Sequence, residues 1–330
     1  MPDSPALSPA LLWRMTRPAF LLLTVVACLL GFATAAACGW LSADALQRAE
    51  LSGANVVITG CKLNLPLAAV TMLLAVLAHA AGNVLNDLHD ARNGADAANT
   101  GGIFPFTGGS RLIQNGVVTE HQTAMLAYAL LLAVVLGGLL LALETGAGVL
   151  LLGLVGVLLA WAYSAPPLRL MTRGFGEPAV AGAWFLIVVG ADYVQQGGFS
   201  SIALGAALSF GLLVAALLII NGCPDARGDA LAGKRTLAVR LGPVGAAWGY
   251  LGFVLVAHGW LLLAVWLRLL PDVALWGLVS LPFSLAAAII LLRRARQPQQ
   301  LKPALALTVV ATLSHGLGMA GGFAWLAMRA

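Results

Sequence analysis

The chain has 330 residues, 60% of them hydrophobic and 9% charged, with 18 basic and 13 acidic side chains giving a net charge of +5. An average soluble domain is roughly 45–50% apolar and 25% charged, so these charges are too few to coat a globule of this size. The same numbers exclude a disordered chain, and basic residues scattered between apolar runs speak against a nucleic-acid partner.

A helix needs about 20 mostly apolar residues to cross the hydrocarbon layer of a bilayer. Nine stretches qualify in chain order: Pro18–Trp40, Leu65–Leu85, Thr123–Leu143, Gly148–Ala165, Pro178–Val194, Ile202–Ile220, Val244–Leu267, Val273–Leu292 and Leu305–Met328. No strand-length stretch alternates with period 2, so a β-barrel is not supported. The prediction is an all-α integral membrane protein of nine transmembrane helices, one domain over 1–330. The first run follows Arg14 and Arg17 and ends Ala35-Ala36-Ala37-Cys38, which looks like a cleavage or lipoprotein site. It exceeds 20 residues, whereas a signal h-region has roughly 7–15, so it reads as a retained helix.

Orientation follows from the basic residues. The N-terminal tail and even-numbered loops hold Arg14, Arg17, Arg92, Arg111, Arg169, Arg173, Arg227, Lys234, Arg235, Arg240, Arg293, Arg294, Arg296 and Lys302. The odd loops and C-terminus hold only Arg48, Lys62, Arg268 and Arg329. The N-terminus and even loops are therefore expected in the cytoplasm, in a multi-pass protein of the cell (inner) membrane.

Acidic residues gather at two places on that cytoplasmic side. After span 2 come Asp87, Asp90, Asp96 and Glu120, and after span 6 come Asp225 and Asp229. If the helix continues, Asn83 and Asp87 stand four apart, as do Asn86 and Asp90, placing these polar groups on one face. Asn221, Asp225 and Asp229 make the same line at i, i+4, i+8, with Pro224 able to kink it. Stacked carboxylates repel and resist leaving water. A dication relieves both problems, and an all-oxygen ligand set without Cys or His selects a hard one. Mg²⁺ binds through one or two carboxylates plus substrate phosphates, so two facing acidic helix ends suit a bridged diphosphate. A single cluster reads as a solvated helix end; two of the same N-x-x-x-D form argue against that.

Basic residues stand beside each cluster. Thr107-Gly-Gly-Ser-Arg111 offers backbone N–H groups and a guanidinium to phosphate oxygens, although Gly-Gly-Ser alone is more often a plain turn. Lys234 and Arg235 follow Asp229, and a third cytoplasmic loop runs from Tyr163-Ser-Ala-Pro-Pro through Arg169 to Arg173. Positive-inside topology explains arginines in that loop equally well. The acidic residues also fit an ion-coupled secondary transporter, but transporter sites lie near the midplane rather than at helix ends.

Taken together, Asn86-Asp87-x-x-Asp90, Tyr163-Ser-Ala-Pro-Pro and Asp225-x-x-x-Asp229 followed by Gly-Lys-Arg-Thr-Leu-Ala-Val-Arg-Leu-Gly (233–242) resemble the UbiA superfamily of intramembrane prenyltransferases. The resemblance covers nearly the whole chain. It implies a bundle around a central cavity open sideways to membrane lipid, with Mg²⁺ on the two Asp motifs. An isoprenoid diphosphate held there ionises, and an aromatic acceptor attacks the allylic cation. The implied catalytic residues are Asp87, Asp90, Asp225 and Asp229, joined by Asp96 as metal ligands. The implied diphosphate contacts are Arg111, Lys234, Arg235, Asn83, Asn86, Asn221, Tyr163, Arg169 and Arg173.

Asn83, Asn86, Asp87, Asp90, Gly94 and Asp96 together are similar to the menaquinone branch, whose acceptor is 1,4-dihydroxy-2-naphthoate. Arg173-Gly-Phe-Gly-Glu177, Tyr193-Val-Gln195 and the Arg17-Pro18 start agree with that branch. The second motif departs from it: Asn221-Gly-Cys-Pro lacks the usual second Asn and the Arg, and the 104–111 loop also differs. A 4-hydroxybenzoate- or homogentisate-type acceptor is the alternative. His79, four residues before Asn83, is expected to link two helices or to line the cavity. His258 and His315 are intramembrane without an assigned task. Asp192 falls near the outer end of span 5, Cys28 and Cys223 read as packing residues, and Cys38 and Cys61 share the outer side, where a disulfide survives.

Overall fold

A computed structural model describes residues 7–37 and 62–329. Cys38, Cys61 and the last residues of the first predicted span lie outside the described residues. Eleven α-helices appear among the described residues: α1 Pro9–Met15, α2 Pro18–Ala36, α3 Leu65–Asn93, α4 Ala95–Ala98, α5 Glu120–Thr145, α6 Gly148–Ser164, α7 Gly176–Gln196, α8 Ser201–Leu231, α9 Leu237–Trp266, α10 Leu281–Arg294 and α11 Lys302–Ala327. No strand occurs among them. Eight helical stretches are long and apolar enough to cross a membrane, the seventh running from the 3₁₀ turns at Asp272 through α10 to Arg294. The predicted fourth span corresponds to α6, a shorter apolar helix of 17 residues.

Helix starts follow local chemistry. Asn64, Thr119, Ser200 and Thr236 each cap a helix by accepting a backbone N–H, and Thr119 with Gln122 forms a capping box. Gly94, with φ +80°, ends α3 in the left-handed conformation. In α9, Gly242 leaves helical geometry just before Pro243, a kink beside the predicted span start at Val244.

Between helices lipid offers little hydrophobic drive, so close packing and interhelical hydrogen bonds carry the association. α8 is the most buried span and packs against α7, α9 and α11. Small residues let the backbones approach: a Cβ on Gly211 of α8 would lie 2.5 Å from the Ala181 carbonyl of α7. His258 and His315 are tied into this packing. His258 Nε2 lies 2.8 Å from Ser280 Oγ, which lies 3.1 Å from His315 Nδ1, and His315 Nε2 lies 2.8 Å from Ser209 Oγ. This chain joins α8, α9, α11 and the 3₁₀ segment, so both rings serve helix association.

The first half of the bundle is packed more openly. α3, α5, α6 and α7 surround a cavity of about 900 Å³ that reaches α2 and α8. It runs from the acidic helix ends toward Thr71, Leu141 and Val194, near the opposite ends of their helices.

Candidate active site

Both motif helices continue past their apolar stretches, α3 to Asn93 and α8 to Leu231. These extra turns carry the carboxylates. On α3, Ala75, His79, Gly82, Asn86 and Asp90 recur every three or four residues and line the cavity. From α8 come Asn221, Asp225 and Asp229, with Lys234 just beyond its end.

Lys234 links the two clusters. Its ammonium lies 2.6 Å from Asp90 Oδ1 and 3.3 Å from Asp229 Oδ1, and the side chain is only 3% exposed. Burial works against its charge; Asp90 and Asp229 more than offset that and hold its pKa above the ordinary lysine value. A second cation, the partly buried Arg17, starts α2 with φ +54°. Its guanidinium pairs with Asp87 and donates to Asn86 Oδ1 at 3.3 Å. Sequence reading assigned Arg17 no contact in the site, because an arginine ahead of a first span is already explained by topology.

The segment after α3 folds back across both helix ends. Asn99 Nδ2 donates to Asp225 Oδ1 at 2.7 Å, and the Gly108 N–H donates to Asp225 Oδ2 at 3.1 Å. The Ser110 N–H reaches Asp87 at 3.4 Å. Tight turns permit this: Gly108 and Gly109 have positive φ, and a Cβ on Gly228 would lie 2.8 Å from the Asn99 Cα. A Cβ on Gly109 would stand 3.1 to 3.2 Å from Asp96 Oδ1, Arg17 Nη2 and Asp87 Oδ1, so acids and cation converge on it. Asp96 accepts from Gln114 Nε2 at 3.0 Å. Burial, with Asp90 adding to it, pushes its carboxyl up to about 6 against the pull of Arg17, Lys234 and Arg111.

The remaining candidates divide. Asn83, Asn86, Asn221 and Tyr163 line the cavity with Asp90, Asp96, Asp225 and Asp229. Asn86 donates to Asp90 Oδ2 at 3.1 Å and to Ser164 Oγ at 3.3 Å, which fixes the Tyr163 loop against α3. Asn221 Oδ1 is buried without a partner among the described residues. Asp87, Arg111, Arg169, Arg173 and Arg235 are absent from the cavity lining. Asp87 turns to Arg17 instead. The Arg111 guanidinium donates to the Asn99 carbonyl at 2.7 Å and braces the folded-back loop. Arg173 donates to the Pro167 carbonyl at 2.9 Å, and the Arg235 N–H donates to the Thr172 carbonyl at 2.9 Å. Arg169, Arg173 and Arg235 are exposed, so their part of the surface joins two loops beside the mouth. Asp192 is buried near the far ends of the helices, accepting from Thr34 and Gln196 and not lining the cavity.

The donor set at the mouth is all oxygen and suits a hard dication. No three acidic, His or Cys side chains among the described residues converge on one point as a ready-made metal nest. Pairs of carboxylates plus the unpartnered Asn221 oxygen fit an ion that takes its other ligands from phosphate oxygens.

The UbiA prenyltransferase family model matches residues 52–326. The chain belongs to the UbiA prenyltransferase family. It is a prenyltransferase and a multi-pass membrane protein. Among curated relatives, the 1,4-dihydroxy-2-naphthoate octaprenyltransferase of Mycobacterium tuberculosis is 31% identical over 245 residues, covering 74% of this chain and 80% of the relative. The Escherichia coli protein of the same name is 30% identical over 266 residues, covering 76% and 82%. The fold matches a UbiA homolog from Archaeoglobus fulgidus with a TM-score of 0.58 at 15% identity, over 94% of this chain and 98% of that one. The same homolog has been solved bound to GPP and Mg²⁺; that structure gives 0.54 at 16% identity, over 94% and 99%. The motif resemblance and the comparisons therefore name one family.

Proposed function

We propose that this UbiA-family enzyme transfers an isoprenoid chain from a prenyl diphosphate to 1,4-dihydroxy-2-naphthoate, in menaquinone biosynthesis. One observation carries the reading: two acidic helix ends, the buried Lys234 and the partly buried Arg17 form the mouth of a long apolar cavity. The polar mouth suits a diphosphate and the apolar length suits its chain, so one molecule satisfies both. The names of the curated relatives support 1,4-dihydroxy-2-naphthoate as the acceptor.

Asp90, Asp96, Asp225 and Asp229 would hold Mg²⁺, with Asn221 beside them and Asp87 orienting Arg17. Bound there, the ion neutralises the diphosphate and makes it a better leaving group. Lys234 and Arg17 are placed to take up negative charge on the departing diphosphate, in a site where water is scarce and fixed charges act strongly. The folded-back segment and the Tyr163 loop shield this mouth. The apolar walls keep water from the allylic cation, which would otherwise be captured as an alcohol.

Purified protein given a prenyl diphosphate and 1,4-dihydroxy-2-naphthoate should release diphosphate and form a prenylated naphthol, and a chelator should stop both. Transfer to 4-hydroxybenzoate or homogentisate in its place would redirect the acceptor assignment and leave the diphosphate chemistry standing.

In the same reading the whole chain is one domain in the cell (inner) membrane. α6 crosses as the fourth of nine spans, and the N-terminus and acidic mouth face the cytoplasm. A cysteine introduced at Thr100 should be labelled only from the cytoplasmic side, and one added after Arg329 only from outside. The reverse pattern would overturn the orientation.

A further inference from the structure

His79 stands on the cavity face of α3, seven residues before Asn86, which is about 10 Å deeper along the helix axis. Its ring is held from two sides. Nδ1 pairs with Thr24 Oγ1 of α2 at 2.8 Å, and Trp184 of α7 packs edge-on with ring centroids 4.8 Å apart. Among the described residues Nε2 has no partner, and it is accessible to the cavity that His79 lines. Trp184 also lines the cavity; its side chain is nine-tenths buried and its indole N–H has no acceptor among the described residues. The surroundings are apolar, with Leu23, Ala78 and Val180 on the same wall. A polar ring atom left free in such a place is costly, and polar groups inside a membrane bundle cluster at functional sites.

We propose that His79 Nε2 hydrogen-bonds a ring hydroxyl of the aromatic acceptor and fixes it in the cavity beyond the diphosphate mouth, with Trp184 forming the wall beside the ring. The assignment rests on the prenyl-transfer reading above. The depth is appropriate, because the electrophilic carbon sits next to the diphosphate and the ring must approach from the apolar side. The Thr24 contact fixes which way the imidazole faces, so the ring is set before the acceptor arrives. His79 is thus a substrate-binding and specificity-determining residue, while Thr24 positions it.

The test compares affinities for 1,4-dihydroxy-2-naphthoate, 1-hydroxy-2-naphthoate and 4-hydroxy-2-naphthoate, the latter two as inhibitors, in wild type and His79→Leu. Losing the hydroxyl that meets Nε2 should weaken binding to wild type by roughly 5- to 150-fold. In His79→Leu the same comparison should fall close to onefold, while KM for the prenyl diphosphate stays put. If the variant does not accumulate, His79→Gln carries the measurement, with a reduced ratio expected. Thr24→Val removes the interhelical bond but keeps Nε2. If His79 were only a tie between helices, His79→Leu and Thr24→Val would lose the same stability and both would keep the wild-type ratio. A ratio preserved in His79→Leu overturns the proposal. Absence of wild-type transfer to any hydroxylated ring is a separate outcome that overturns the functional reading and this assignment together.

Discussion

Replacing Asp90 or Asp225 by alanine is expected to lower prenyl transfer by about 10³-fold or more, since a catalytic metal supplies several kcal/mol and each 1.36 kcal/mol is tenfold in rate. Repulsion alone argues that deleting either carboxylate relieves strain between like charges. The contacts point the other way. Asp90 accepts from Asn86 Nδ2 at 3.1 Å and Asn93 Nδ2 at 3.4 Å and shares Lys234 with Asp229, so its loss strands two amide donors and leaves that cation one partner. Asp225 is the acceptor for Asn99 and the Gly108 N–H, so its loss strands two donors at about 1–3 kcal/mol each. Both variants should therefore melt below wild type. Diphosphate release gives the rates, and thermal unfolding in detergent gives the loss of stability. Near-wild-type turnover in both variants would sink the two-cluster metal site.

Lys234→Ala is expected to cost turnover roughly one to three orders of magnitude, the range for removing one preorganised charge-stabilising group. It also leaves Asp90 and Asp229 facing one another without their cation. Breaking a buried pair from one side costs roughly 3–5 kcal/mol, so the variant should melt earlier. Added Mg²⁺ should restore more stability to it than to wild type, where the ammonium already occupies the gap. Arg111→Ala is the control, because spacing after the first motif predicts an equal role in charge stabilisation. Its guanidinium instead holds the Asn99 carbonyl, so the loss should be smaller and shared with loop stability. Kinetics on the two variants decide it: equal falls in turnover would return Arg111 to the diphosphate.

Hydropathy alone ended the second and sixth spans at Leu85 and Ile220, where polar residues begin. The N-x-x-x-D spacing carried the helices on to Asp90 and Asp229, since only a helix makes that spacing one face. It did not separate Asp87 from Asp90. Three residues fall about 60° short of a full turn, enough to send Asp90 to the cavity and Asp87 toward Arg17. Arg17 and Arg111 were opaque for a shared reason: a long flexible side chain near a motif gives no sign of where its end goes. The 107–111 stretch reads as a turn from its small residues. That its N–H groups serve Asp225 and Asp87 follows from contacts distant in sequence, which no local pattern encodes. His79 left both its readings open, and the geometry supports both, because opposite nitrogens face a helix and the cavity.

Asn99 and Asp225, joined by one hydrogen bond, are 126 residues apart. A nascent chain growing at roughly 5–20 residues per second needs on the order of 6–25 s to travel between them. Throughout that interval the first acidic cluster has been made while its counterpart on α8, and the lysine that bridges them, have not. Arg17 is upstream and already available, so the growing chain carries one of its two neutralising cations from the start. Asp90 must wait at the water–lipid boundary until α8 is inserted. The site is therefore assembled in two instalments, and the bilayer receives the paired carboxylates only after both have been delivered.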